Sequence, residues 1–252
     1  MRKHLSVLAL GARQTLGKVL LLLVVLAAVE TGLFGWALWT YLPQEMGGGM
    51  AGPAPVEELM EAVKLRWVYA AGMTAVFAVL LLTGLELRGS RMAYTMCRLR
   101  ISEEAAGLWQ GAYNALCFLL LWAVQTALAL GFCLWYMAAV DPAFVTGQTA
   151  FLAFYRSGFL NGLLPLANTA RWVQLITGTA ALGLTTAVAP YHQRYGRVGV
   201  ACYVVLGVTV MSGGVSVQNW QVSVFAVGLF LVVLYMQAVA LWTGWRAGDG
   251  RE

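Results

Sequence analysis

Long apolar runs alternate with short polar ones along nearly the whole chain. The apolar runs lie near residues 19–41, 67–85, 115–138, 172–189, 198–212 and 217–243. Each approaches the ~20 residues a helix needs to cross the hydrocarbon core. The residues between them are polar and rich in Gly or Arg, as connections at a membrane surface require. The pattern predicts an all-α, polytopic membrane protein with six transmembrane helices in a single domain spanning 1–252.

The intervening segments predict smaller elements. Over residues 1–18, Leu5, Leu8, Ala9, Ala12 and Leu16 share one helical face while Arg13, Gln14 and Lys18 fall elsewhere, which predicts an interfacial helix. An extension of the first span into the cytoplasm is the alternative. The segment 43–66 carries Gly47, Gly48, Gly49, Gly52, Pro53 and Pro55, a turn-prone stretch. After Pro55, Glu57 and Glu58 begin a short helix, acids placed where the helix dipole favours them. Ser102 followed by Glu103 and Glu104 reads as a helix N-cap. Between 139 and 171 the aromatics Phe144, Phe151, Phe154, Tyr155 and Phe159, interrupted by Gly158, Gly162 and Pro165, predict short helices lying on or dipping into the outer interface.

Composition sharpens the class. The chain is 60% hydrophobic and 11% charged, with mean hydropathy +0.73, whereas a soluble domain carries roughly a quarter charged residues. A pI near 9.2 would suggest nucleic acid in a soluble protein. Here the cations sit at span ends, so membrane orientation accounts for them and no nucleic-acid partner is implied. With both termini in the cytoplasm, Arg2, Lys3, Arg13, Lys18, Arg88, Arg91, Arg98, Arg100, Arg194, Arg197, Arg246 and Arg251 all fall inside. Only Lys64, Arg66, Arg156 and Arg171 fall outside. An odd number of spans would break that asymmetry. The first span is too long for a signal-peptide core and ends in aromatics and Pro43, so it reads as retained. Cys97, Cys117, Cys133 and Cys202 lack CxxC spacing and read as small buried apolar residues, with neither disulfide nor zinc implied.

The inventory of reactive residues is thin. His4 and His192 both fall outside the spans, as do Asp141 and Asp249, so haem ligation, a Ser–His dyad and an intramembrane aspartyl pair lack their residues. The pairs Glu57–Glu58 and Glu103–Glu104 come without histidines at metal-ligand spacing, and no metal site is read. Residues 11–18 imitate a phosphate-binding loop, but five residues separate Gly11 from Gly17 and Val19 follows Lys18 where Ser or Thr would hold magnesium. No catalytic residue is assigned, and the chain reads as a non-enzyme. Glu30 stands out: an ionisable group at the centre of a span costs at least ~2.5–3.5 kcal/mol. It reads either as a contact for a proton or substrate in a pathway, or as a hydrogen-bonded packing residue. Gln125 and Gln237 read as interhelical hydrogen bonds, and Arg171 as an anchor snorkelling to the outer surface.

The layout then matters as a whole. The segment 94–104, Tyr-Thr-Met-Cys-Arg-Leu-Arg-Ile-Ser-Glu-Glu, leads to Trp109, Gln110, Tyr113 and Asn114. With the basic N-terminal helix, the six spans and the short outer helices, it resembles the membrane (permease) subunits of exporter-type ABC transporters whose ATPase is a separate polypeptide. The resemblance implies a substrate pathway formed by a dimer of permease subunits in the cytoplasmic membrane. It also implies a coupling loop at 88–111, docked on an ATP-binding subunit through Tyr94, Met96, Arg98, Leu99 and Arg100. ATP and Mg would be bound by that partner, and this chain would carry no cofactor. In that family the outer helices usually lie between spans five and six; here the longer outer segments follow spans one and three. A substrate-binding subunit of a vitamin-type importer and a stand-alone membrane sensor or immunity protein are the alternative readings.

Overall fold

The computed structural model describes residues 2–45, 53–84, 103–166, 168–194, 199–214 and 220–248. Tyr94, Met96, Arg98, Leu99 and Arg100, together with Cys97 and Ser102, lie outside the described residues. Among the described residues all regular structure is helical: α1 (Arg2–Glu45), α2 (Val56–Ala62), α3 (Leu65–Gly84), α4 (Glu103–Ala139), α5 (Thr149–Arg156), α6 (Gly158–Leu163), α7 (Thr169–Arg194), α8 (Val200–Gly214) and α9 (Trp220–Gly248). Helices satisfy the backbone groups of their interior turns within their own segment, which lipid demands.

Among the described residues five helices are long and apolar enough to cross a membrane, over Gly11–Tyr41, Leu65–Leu82, Ala105–Ala139, Thr169–Pro190 and Trp220–Ala240. The protein is therefore a multi-pass helical membrane protein. The fifth of the six expected spans corresponds to α8, which is apolar but has only 15 residues. Residues 1–18, expected as a separate interfacial helix, are continuous with the first span from Arg2 onward: α1 is one helix of 44 residues. The short helices expected after Pro55 and between 139 and 171 are present as α2, α5 and α6. Cys117, Cys133 and Cys202 are buried free thiols, as their scatter implied.

At 1.5 Å per residue α1 and α4 are about 66 Å and 55 Å long, well beyond the ~30 Å hydrocarbon core. They run side by side in the same direction. Thr15 Oγ1 meets the Tyr113 hydroxyl at 2.7 Å, Gln125 Nε2 donates to Glu30 Oε2 at 2.7 Å, and Phe34 stacks on Phe132 at 4.6 Å. One apolar core joins the first halves of α1 and α4 to α3, α7, α8 and α9, through residues such as Val19, Phe77, Leu121, Leu182, Val205 and Phe230. A second core joins the later halves of α1 and α4 to α2, α5 and α6, through Phe34, Leu59, Phe132, Phe154 and Leu160. Between α2 and α3 the chain turns at Lys64, whose φ of 54° lies in the left-handed region.

The most extensive helix pairing is α4 with α7, which run antiparallel. Gly111 and Ala115, four apart on α4, meet Gly183 on α7. A Cβ on Gly183 would lie 2.6 Å from Ala115 Cβ, Ala115 N and Gly111 O. Small residues at four-residue spacing let backbones approach where lipid supplies no hydrophobic drive between helices. Elsewhere in the bundle α1 and α9 carry exposed apolar side chains, among them Leu21, Val24, Phe225 and Tyr235, as expected of surfaces solvated by lipid.

Candidate functional site

The start of α7 organises a cavity inside the bundle. Asn168 Oδ1 accepts from the backbone N–H groups of Ala170 (3.1 Å) and Arg171 (3.4 Å), capping donors that a helix start leaves open. Beyond the cap, Arg171, Gln174, Gly178 and Leu182 follow at offsets of 3, 4 and 4, one face of a helix. That face looks into the bundle. Arg171 is only 8% exposed, and its Nη1 donates to the carbonyl oxygen of Ser212 at 2.9 Å, near the end of α8. The bond satisfies a carbonyl that the last turn of α8 leaves without an intrahelical partner. It also joins the beginning of α7 to the end of α8.

The other wall comes from α4 and α6. Ser157 caps α6 by accepting from Leu160 N at 3.4 Å, and Trp122 Nε1 donates to the carbonyl of Leu163 at 2.8 Å. Trp122 sits 19 residues along α4, about 28 Å from its start, so α6 reaches the middle of α4. Helix α6 therefore dips into the bundle. Trp122 also meets Trp172 edge-on at 6.0 Å, and Tyr69 of α3 meets Phe159 of α6 at 6.2 Å.

Between these walls lies a cavity of about 80 Å³ lined by side chains of α3, α4, α6, α7, α8 and α9. Its aromatic wall is Tyr69, Phe118, Trp122, Phe159 and Phe230. Gly178 leaves room for the Phe230 ring, which a Cβ there would meet at 3.0 Å. Its polar groups are fewer. Gln174 is 6% exposed, and its Oε1 has no hydrogen-bond partner. The hydroxyls of Thr179 and Thr209 donate to the carbonyls of Leu175 (2.9 Å) and Val205 (2.7 Å), so their oxygens face other groups as acceptors. Among the described residues no Asp, Glu, His or Cys lines the cavity, and Arg171 is the charged residue of that lining. Such a lining can hold a small group between aromatic rings and a few polar side chains.

Glu30, the pathway candidate, is fully enclosed at 0% exposure. It faces α4, away from the exposed face of α1 that carries Leu20, Leu21, Val24 and Val25. Gln125 Nε2 donates to its Oε2, while Glu30 Oε1 and Gln125 Oε1 are buried without hydrogen-bond partners. The interhelical bond expected of Gln125 is thus present, and its partner is the one carboxylate in the first span. Gln237 is buried. Elsewhere along α4, Gln110 Nε2 donates to Asn114 Oδ1 (3.3 Å) and Asn114 Nδ2 to Thr186 Oγ1 (2.9 Å). With Thr15 and Tyr113 they form a polar tie among α1, α4 and α7.

Arg171 departs from the sequence-based expectation of a snorkelling anchor. A guanidinium at a helix edge normally extends to water, but the nearby end of α8 offers a carbonyl acceptor inside the bundle. Gln174 was not singled out from the sequence. The detectable signal was the 3–4–4 spacing that puts it on one face with Arg171, Gly178 and Leu182; the burial of that face depends on α6 and α8, which local pattern does not place. Compared with known proteins, the chain matches no family, no curated protein and no solved structure.

Proposed function

We propose that this chain is a membrane subunit of a transporter, the permease half of an ATP-driven system whose ATPase is a separate polypeptide. The observation that carries the reading is a polar-and-aromatic cavity lined by six helices of a multi-pass bundle. Buried polar groups at membrane depth are expensive and mark substrate or ion routes. The six-span arrangement is supported by α8, whose Gly199 end lies against Ala189 and whose Ser212 end bonds Arg171. It thus runs beside nearly the whole membrane window of α7 despite its length.

In this reading both termini are cytoplasmic, a second permease subunit completes the pathway, and the coupling element expected over 88–111 runs into the first turns of α4, which begins at Glu103. Tyr94, Met96 and Leu99 pack into the ATPase, and Arg98 and Arg100 supply docking charge. The Glu30–Gln125 bond holds α1 to α4, so motion of the coupling loop, which enters α4 directly, is passed to the first span. A vitamin-type binding subunit fits less well, because drug-sized ligands occupy pockets of roughly 300–1,000 Å³ and this cavity is about 80 Å³.

The test is a pull-down from the native membrane with the tagged chain and an Arg98→Glu/Arg100→Glu variant side by side. An ATP-binding subunit retained by the wild type and lost by the variant is expected. Retention by both contradicts the docking assignment, and its absence from both contradicts the transport reading.

A further inference from the structure

We infer that Glu30 and Gln125 form a proton-binding site: a proton on Glu30 Oε1 is donated to Gln125 Oε1 and closes a cyclic acid–amide pair between α1 and α4. Half of that pair is already present, with Gln125 Nε2 donating to Glu30 Oε2 at 2.7 Å. The other half lacks its hydrogen. Glu30 Oε1 and Gln125 Oε1 are both buried without hydrogen-bond partners. An ionised carboxylate and an amide oxygen only accept, whereas a carboxylic acid also donates. The two side chains are joined end to end, and the terminal torsions of Glu and Gln are broad, so a small rotation brings their second oxygens into bonding range. One proton then satisfies both orphaned atoms, the first as donor and the second as acceptor. The inference concerns this chain alone and holds with or without a partner ATPase.

The surroundings offer the carboxylate little else. Glu30 and Gln125 are 0% and 1% exposed. One turn away lie Leu26 and Phe34 on α1 and Leu121 and Ala129 on α4, all buried and apolar. Beside Gln125, the Trp122 indole donates to the Leu163 carbonyl and the Thr126 hydroxyl to the Trp122 carbonyl. Thr31, beside Glu30, is exposed. From α3, Tyr69 lies within electrostatic reach of Glu30 and carries no positive charge to offset it. Arg66, one turn earlier, holds its guanidinium over the Trp67 ring at 4.9 Å. The acids of α2, Glu57, Glu58 and Glu61, add no cation. A carboxylate in so apolar a setting is strongly disfavoured, and such a group neutralises instead. A hard cation is the other way to neutralise it, but such ions take about six oxygen ligands, and this junction leaves only Glu30 Oε1 and Gln125 Oε1 unpartnered. A proton needs neither a cavity nor an opening to sit between them.

Infrared difference spectroscopy of the full chain in phosphatidylcholine nanodiscs at neutral pH reads the site. Subtracting Glu30→Gln, which keeps the shape with a donor and an acceptor, should leave the carbonyl stretch of one carboxylic acid and no carboxylate bands. In Gln125→Leu the acid loses its amide partner, so its band should persist and move to higher frequency. The wild type alone also carries the test, independent of how either variant folds: with glutamate side-chain carboxyls isotopically labelled, a labelled acid band is expected. Complete ionisation of the labelled carboxyls would overturn the inference. So would a Glu30 carboxylate signal in place of the acid band, and one that shifts between sodium and choline buffers would assign the site to a cation. An acid band unmoved by Gln125→Leu would overturn the pairing.

Discussion

Substituting Gly183→Ala adds one methyl at a close approach of α4 and α7. Its Cβ would lie 2.6 Å from Ala115 Cβ, Ala115 N and Gly111 O, where ordinary contact is 3.4–4 Å. Two of those atoms are backbone and cannot rotate away, so α4 and α7 must part by about 1 Å. Overpacking of this kind costs about 1–3 kcal/mol. The same separation carries the 2.9 Å bond from Asn114 to Thr186 beyond hydrogen-bonding range, at about 0.6 kcal/mol or more for an interhelical bond in a membrane. A loss of about 2–4 kcal/mol follows, a factor of roughly 30 to 1,000 in the unfolding equilibrium. Reversible unfolding in mixed micelles, monitored by circular dichroism, reads that directly. The control is Gly131→Ala on α4, whose new Cβ meets nothing within 4 Å; it should be neutral or stabilise by up to about 1 kcal/mol, because alanine is the better helix former. Gly183→Ala unfolding no more easily than Gly131→Ala would refute the reasoning that this crossing sets the spacing of α4 and α7.

Other substitutions test separate parts of the account. Glu30→Leu strands the Gln125 amide inside the bundle and should destabilise by about 1–3 kcal/mol, whereas Glu30→Leu with Gln125→Leu should recover most of it; a double variant worse than the single would show that the pair does not act as a unit. Trp122→Phe removes the donor to the Leu163 carbonyl and should speed proteolysis or hydrogen exchange around α6 while leaving α1 unchanged, a contrast that uniform protection across both would contradict. Lys64→Gly should stabilise by about 1 kcal/mol, because a side chain at φ 54° carries a left-handed penalty that glycine lacks; a thermal melt unmoved or lowered would argue that the turn is not strained.

Much of the architecture is legible in the sequence because the bilayer is a strong and simple solvent. Apolar runs of membrane length become helices: α3, α7 and α9 fall close to those runs, and α4 covers 115–138 but begins earlier, at Glu103. Pro55 and the acids after it similarly mark α2. The boundary of α1 was less readable: nothing in residues 1–18 breaks a helix, so propensity carries α1 through to Arg2 as one continuous element. The cavity was harder still. Arg171 and Gln174 are ordinary span-edge residues by local pattern, and their significance comes from α6 dipping to Trp122 and α8 ending beside Arg171. Glu30 was conspicuous from its cost in lipid, but its bond to Gln125 depends on the parallel alignment of α1 and α4, fixed by packing between segments 95 residues apart.

The transport reading stands or falls on what accompanies the chain in its membrane. Native mass spectrometry of the tagged protein, released in mild detergent from its own host, measures this most directly. The account predicts a complex of two permease subunits with two copies of an ATP-binding subunit. The chain released alone from membranes in which its hydrogen-bonded bundle stays intact would contradict it.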